Sequence, residues 1–222
     1  MAKTETITIK PIKKERIKVR IVGDSPLIMH NWDEKAKREM YEAQQGTKPV
    51  KKKERKNPIR DFVESMYWIE GKPEIEASMT DEESEELYFE ALRNAKFGFP
   101  VTCFKQAGNA AAYRQGWVKN QMGLRGAYFI EADTPSGLVE IHSDAPEMRE
   151  DMVKIGVGTA DIRYRGMFNN WHADLVISFN SNGMYSKEDI INILNAGGFV
   201  CGVGEWRPER DGMYGMYHVE AI

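Results

Sequence analysis

The run Trp171-His172-Ala173-Asp174-Leu175-Val176-Ile177-Ser178-Phe179, with the Ser186-Lys187-Glu188-Asp189 that follows it, decides how this chain folds. Leu175, Ile177 and Phe179 alternate with Asp174, Val176 and Ser178, the period of a strand with one buried face. Ser186-x-x-Asp189 has the spacing of a capping box, in which a hydroxyl and a carboxylate three residues apart satisfy the open amides of a helix start. The helix so opened carries Ile190, Ile191, Ile193 and Leu194 and is expected to stop at Gly197-Gly198, since glycine commonly ends helices. Tyr214 to Ala221 then reads as a closing strand.

The other end of the chain repeats this logic. Ile17, Val19 and Ile21 alternate with Lys18 and Arg20, and the strand runs into the turn signal Gly23-Asp24-Ser25-Pro26 and a short apolar piece, Leu27 to Met29. Strand, helix and strand at both ends predict an α+β fold: a ferredoxin-like (RRM-like) antiparallel sheet core of split βαβ type, with helical and loop insertions, in one domain over residues 1–222.

Between these ends the sequence predicts a charged helix over 34–45, capped by Asp33 and ended by Gly46, and then a basic loop at about 46–60. A helical insertion at about 58–115 follows. Asn57-Pro58 suits a cap and first helical position, Thr80 opens an acid-rich amphipathic segment, and Phe99-Pro100 opens a helix through Ala112. Residues 117–126 read as a glycine-broken basic loop. Ala127 to Glu131 and Leu138 to His142 flank Thr134-Pro135-Ser136-Gly137 and are expected to pair as a hairpin, with a further strand from Ala160 to Arg165.

Charge is segregated along the chain. The formal net charge is −3, yet residues 1–60 hold 17 basic against 8 acidic side chains and residues 61–93 hold 2 against 11. The basic excess returns over 94–135, with 5 against 2, and reverses over 136–222, with 7 against 13. Such a chain is not uniformly basic, but it has the makings of a local basic surface. No apolar run approaches the roughly 20 residues of a membrane helix, and the N-terminus lacks the pattern of a secretory signal. Cys103 and Cys201 stand far apart, which excludes a disulfide framework or a cysteine-rich zinc site. No membrane partner and a cytoplasmic location are therefore expected.

Gly197, Gly198, Gly202 and Gly204 lead into Trp206-Arg207-Pro208 and Arg210. This is neither a Walker loop nor a dinucleotide fingerprint, because no G-K-[ST] follows and the glycines come after a helix. Glycines admit a phosphate chain to backbone amides, and a tryptophan with nearby arginines supplies stacking and charge, a combination suited to single strands. Lys105, Arg114, Lys119 and Arg125 form a second basic group, interleaved with Tyr113, Trp117 and Tyr128. Lys51, Lys52, Lys53, Arg55 and Lys56 form a third, in a loop able to close over a strand. His30, His142, His172 and His218 lack metal-ligand spacing, and no catalytic residue, metal or cofactor is assigned.

Arg163-Tyr164-Arg165-Gly166, the strand from Trp171, the helix at Ser186 and the glycine-rich stretch through Gly204-Glu205-Trp206-Arg207-Pro208 to Gly215 resemble the RAMP superfamily. Asp24-Ser25-Pro26-Leu27 and Phe99-Pro100 to Ala107 are similar to its first strand and to one of its helices. That superfamily supplies RNA-binding backbone subunits of CRISPR effector complexes, and similar proteins occur in bacteriophage genomes. The resemblance implies a non-catalytic protein that binds single-stranded DNA or RNA, multimeric along the strand, in recombination, replication or protection of nucleic acid. It adds Arg163 and Arg165 to the expected contacts, beside Gly202, Gly204, Trp206, Arg207 and Arg210. Two alternatives stand beside it: a metal-independent endoribonuclease centred on His30, and a phage inhibitor that binds a host defence protein.

Overall fold

The alternating run that ends in Phe179 forms an inner strand of a four-stranded sheet. A computed structural model describes residues 11–32, 34–46, 56–155 and 158–222. The elements in chain order are β1 (Lys14–Gly23), β2 (Leu27–Ile28), α1 (Glu34–Gln44), α2 (Pro58–Glu64), β3 (Trp68–Glu70), α3 (Asp81–Leu92), β4 (Lys96–Pro100) and α4 (Val101–Arg114). There follow α5 (Met122–Arg125), β5 (Tyr128–Glu131), β6 (Leu138–Ile141), β7 (Glu147–Ile155), β8 (Thr159–Phe168), β9 (His172–Asn180), α6 (Lys187–Val200), a 3-10 turn (Pro208–Arg210) and β10 (Tyr217–Ala221). The fold is mixed α+β, and all the strand pairs described are antiparallel.

The first sheet has the order β10-β1-β9-β5. Val19 and Ile21 of β1 and Ala173, Leu175 and Ile177 of β9 are buried on one face, together with Phe104, Ala107 and Ala111 of α4 and Ile190 and Leu194 of α6. Phe104 sits at the centre, its ring 5.6 Å from Tyr217 and 6.4 Å from Trp171. Two smaller sheets complete the molecule, ordered β2-β8-β7 and β3-β4-β6. An isolated bridge between His142 and His172 ties the end of β6 to β9.

Four expectations are corrected. Helix α6 does not stop at Gly197-Gly198 but runs through both to Val200. Its glycines serve packing: a Cβ on Gly197 would lie 2.7 Å from the Gly108 amide nitrogen of α4, and one on Gly198 would lie 1.8 Å from the Tyr217 carbonyl oxygen. The strands around Thr134–Gly137 do not pair with each other. β5 joins β9 and β6 joins β4, each burying its apolar side chains, Tyr128 and Ile130 in one and Leu138, Val139 and Ile141 in the other, beside a partner distant in the chain. The basic 117–126 loop contains α5, which buries Leu124. The stretch expected as a helical insertion holds strands β3 and β4, and its last helix, α4, belongs to the central layer.

The predicted caps of α2 and α6 are present, and α3 is capped as well. Asn57 accepts from the Arg60 amide at 2.9 Å, and Thr80 with Glu83 and Ser186 with Asp189 form reciprocal boxes. Asn57 is buried and also donates to Ser84 Oγ at 2.9 Å, so it joins α2 to α3. Asn57→Ala is expected to cost about 2 kcal/mol in urea unfolding, the sum of a lost cap and a buried hydroxyl left without its donor. Among the described residues no helix is long and apolar enough to cross a membrane.

Candidate nucleic-acid interface

Beyond α6 the chain doubles back on itself. Gly202, Gly204 and Gly215 have positive φ angles, conformations that disfavour any side chain. A Cβ on Gly204 would lie 2.5 Å from the Ile28 carbonyl oxygen, and one on Gly215 would lie 1.7 Å from that of Val203. Glu205 donates its amide to Ile28, Val203 donates to Gly215, and Gly202 donates to Gly197. The glycines therefore let the protein approach its own backbone, and three of the amides expected to face a phosphate are already spent.

This folded loop forms one wall of a cleft of about 640 Å³ whose other walls are α4, Phe99 and Tyr67. Lys105, Arg125, Arg207, Gly202 and Gly204 line it, with Gln106 and Asn109 between them. Lys105 reaches across β5: its ammonium donates to the Arg125 carbonyl at 2.8 Å and lies 4.3 Å from the Phe129 ring centroid. Burial draws its pKa below the usual lysine value. The acids of the cleft are occupied. Glu209 takes Arg207 at 2.9 Å and Arg114 at 2.8 Å, and Glu205 stands 3.7 Å from Arg165. Burial acts to raise the Glu209 carboxyl, but Arg207, Arg114 and Arg210 hold it below its usual range.

His30, just past β2, belongs to both this cleft and a second one of about 410 Å³. Trp32, Lys56, Asp61, Asp161, Arg163 and Tyr164 line the second. Arg163 Nη1 is 3.0 Å from His30 Nε2. Guanidinium can only donate, so in this contact Nε2 is the acceptor. Lys56 pairs with Asp161 at 2.9 Å, hydrogen-bonds the Ile162 carbonyl and lies 5.7 Å from the centroid of the Tyr164 ring.

Behind the loop sits a buried ionic knot. Asp151 of β7 accepts from Arg165 Nη1 at 2.9 Å, Arg149 Nε at 2.8 Å and Trp206 Nε1 at 3.2 Å. Burial pushes the Asp151 carboxyl up, and these donors more than reverse it, leaving it below the ordinary carboxylate range. Arg149 also donates to the Tyr214 hydroxyl at 2.8 Å, fastening the loop's far limb.

The structure thus sorts the expected contacts. Lys56, Lys105, Arg125, Arg163, Gly202, Gly204 and Arg207 border the two clefts. Arg165 is 3% exposed and faces inward to Asp151, so it is a structural cation, contrary to expectation. Arg114 is held by Glu209, and Trp206, although 40% exposed, is anchored on Asp151. Lys119 and Arg210 are exposed outside both clefts. Lys51, Lys52, Lys53 and Arg55 lie outside the described residues, as does the Asp33 expected to cap α1. Of the interleaved aromatics, Tyr128 is core, its hydroxyl donating to Asn109 at 3.0 Å, while Tyr113 and Trp117 are exposed.

No family model and no curated protein matches this chain. The site rests on its own geometry. Trp32, Tyr67 and Tyr164 are the wall residues that sequence reasoning missed. Their one signal was Trp32, a large aromatic in a polar segment directly after the first strands. Among the described residues no group of three or more His, Cys, Asp or Glu side chains is placed to hold a metal ion.

Proposed function

We propose that the protein binds single-stranded nucleic acid in the larger cleft and does not cut it. The observation that carries this reading is the cleft itself: its acids are matched by internal arginines, while Lys105, held against the Phe129 ring, and Arg125 line an open channel that Tyr67 also walls. Cations that track a backbone beside aromatic rings suit a strand whose bases are free to stack. The strand order β10-β1-β9-β5, with α4 and α6 as the two connecting helices, supports a ferredoxin-like core, and with it the resemblance to the RAMP superfamily. The exposed acidic start of α3 supports self-association through a basic surface of a second copy. The ribonuclease reading has less support, because the Nε2 of His30 is engaged by Arg163 at 3.0 Å.

Anisotropy titrations with single-stranded and duplex DNA and RNA at two salt concentrations test the proposal. Single strands are expected to bind more tightly than duplex. Replacing Lys105 and Arg125 together by alanine should weaken binding about tenfold at low salt and flatten the slope of log affinity against log salt by about 1.4, two phosphate contacts' worth. Lys119→Ala with Arg210→Ala should leave both unchanged. Absence of single-strand binding at low salt would sink the proposal, and equal effects from the two pairs would remove the strand from this cleft.

A further inference from the structure

We infer that the smaller cleft is a pocket for one nucleobase turned out of the bound strand, selective for guanine; the inference rests on strand binding in the larger cleft. The two clefts meet at His30, so a chain lying along one can direct a base into the other. A volume of about 410 Å³ falls in the range that holds small ligands. Two of its walls are aromatic: Trp32, 51% exposed, and Tyr164 from β8. Aromatic faces of this kind hold an unstacked base. Arg163, on His30 at the junction, brings a cation to where the phosphate of a turned-out nucleotide must pass.

The pocket's chemistry then selects among bases. Asp61 and Asp161 both reach Lys56, at 3.9 Å and 2.9 Å from its ammonium, and Asp161 stands 3.8 Å from Arg163 Nε. An ionised carboxylate only accepts, and its two oxygens match an edge with two adjacent N–H donors. Guanine offers that edge in N1–H and the exocyclic amine. Adenine and cytosine set a single amino group next to an acceptor nitrogen, and thymine and uracil set one N–H between two carbonyls. A base read by a carboxylate beside an aromatic wall is therefore guanine.

The test uses labelled thymidine tracts of about 15 nucleotides, near the span of a single-strand site, alone or with one central guanine or inosine. One guanine is expected to tighten binding at least fivefold, the low end for a bidentate contact, and inosine, which lacks the exocyclic amine, to lose most of that gain. Trp32→Ala and Asp61→Asn should abolish the gain while affinity for the plain tract stays within twofold. Tight binding of the plain tract with no guanine gain overturns the pocket and leaves strand binding intact. If the plain tract does not bind at all, strand binding fails, and the pocket is decided by guanosine monophosphate: quenching of tryptophan fluorescence that uridine monophosphate does not cause and Trp32→Ala abolishes supports it, and no such quenching overturns it.

Discussion

Asp151→Asn is expected to lower the free energy of unfolding by about 3 kcal/mol, a large share of the roughly 5 to 15 kcal/mol that holds a domain together. The asparagine oxygen can still accept a hydrogen bond, but Arg165, almost wholly buried, loses its nearer counter-charge and keeps only the half-exposed Glu205 at 3.7 Å. A buried charge left without its partner costs far more than an exposed pair contributes. The loss should appear in urea melts as a lower midpoint with an unchanged slope. Acid gives the same contribution a pH signature. The folded carboxyl titrates below its unfolded value, so its stabilisation is complete above the unfolded pKa near 4 and fades as pH falls through the lower folded value. The gap between the two proteins should therefore be widest at neutral pH and shrink below about pH 4. A gap that stays constant into acid would mean that the knot contributes through shape alone.

Gly198→Ala should be as damaging, in a direction opposite to helix propensity. In a helix interior alanine is favoured over glycine by about 1 kcal/mol. At this position the added carbon would meet the Tyr217 carbonyl oxygen at 1.8 Å, and the obstacle is backbone, which cannot rotate away. Either α6 shifts off the sheet or β10 loosens from β1, to which it is held from Gly23↔Tyr217 onward. A net loss of at least about 2 kcal/mol is expected, in the range of an overpacked core. Gly126→Ala is the matched control, since nothing lies within 4 Å of its Cβ and its φ of −99° suits any residue. A neutral Gly198→Ala would show that the helix has room to move.

What the sequence conveyed depended on whether hydrophobic period and burial coincide. They do in β1 and β9, and in the capped helices α2, α3 and α6, where side-chain chemistry announces the start. They part in β7. Its inward positions are Arg149, Asp151 and Val153, and its outward ones include Met148 and Met152, so the strand reads inside out and escaped notice. The same reversal misplaced Arg165, whose charge suggests a surface contact until Asp151 is found opposite. The glycines misled in another way. A glycine that ends a helix, one that admits a ligand and one that admits a neighbouring backbone look alike in sequence, and here Gly198 and Gly204 are of the third kind. The clefts were only half visible, because their walls come from segments far apart in the chain: His30 and Trp32, Tyr67 and Phe99, Tyr164 and Gly204.

The strand order carries a consequence for how the chain reaches this state. If the chain is divided at the turn after β5, each neighbour in the row β10-β1-β9-β5 comes from the opposite half, and β6 and β2 likewise cross over to complete the two smaller sheets. Neither half can close a sheet without borrowing strands from the other. The register joining Val19 to Ala221, or Lys14 to Asn180, requires loops of well over a hundred residues to close before any ladder is gained. Local helices can form early, but the sheet condenses only once nearly the whole chain is present, so folding is expected to be slow and all-or-none rather than built up from one end.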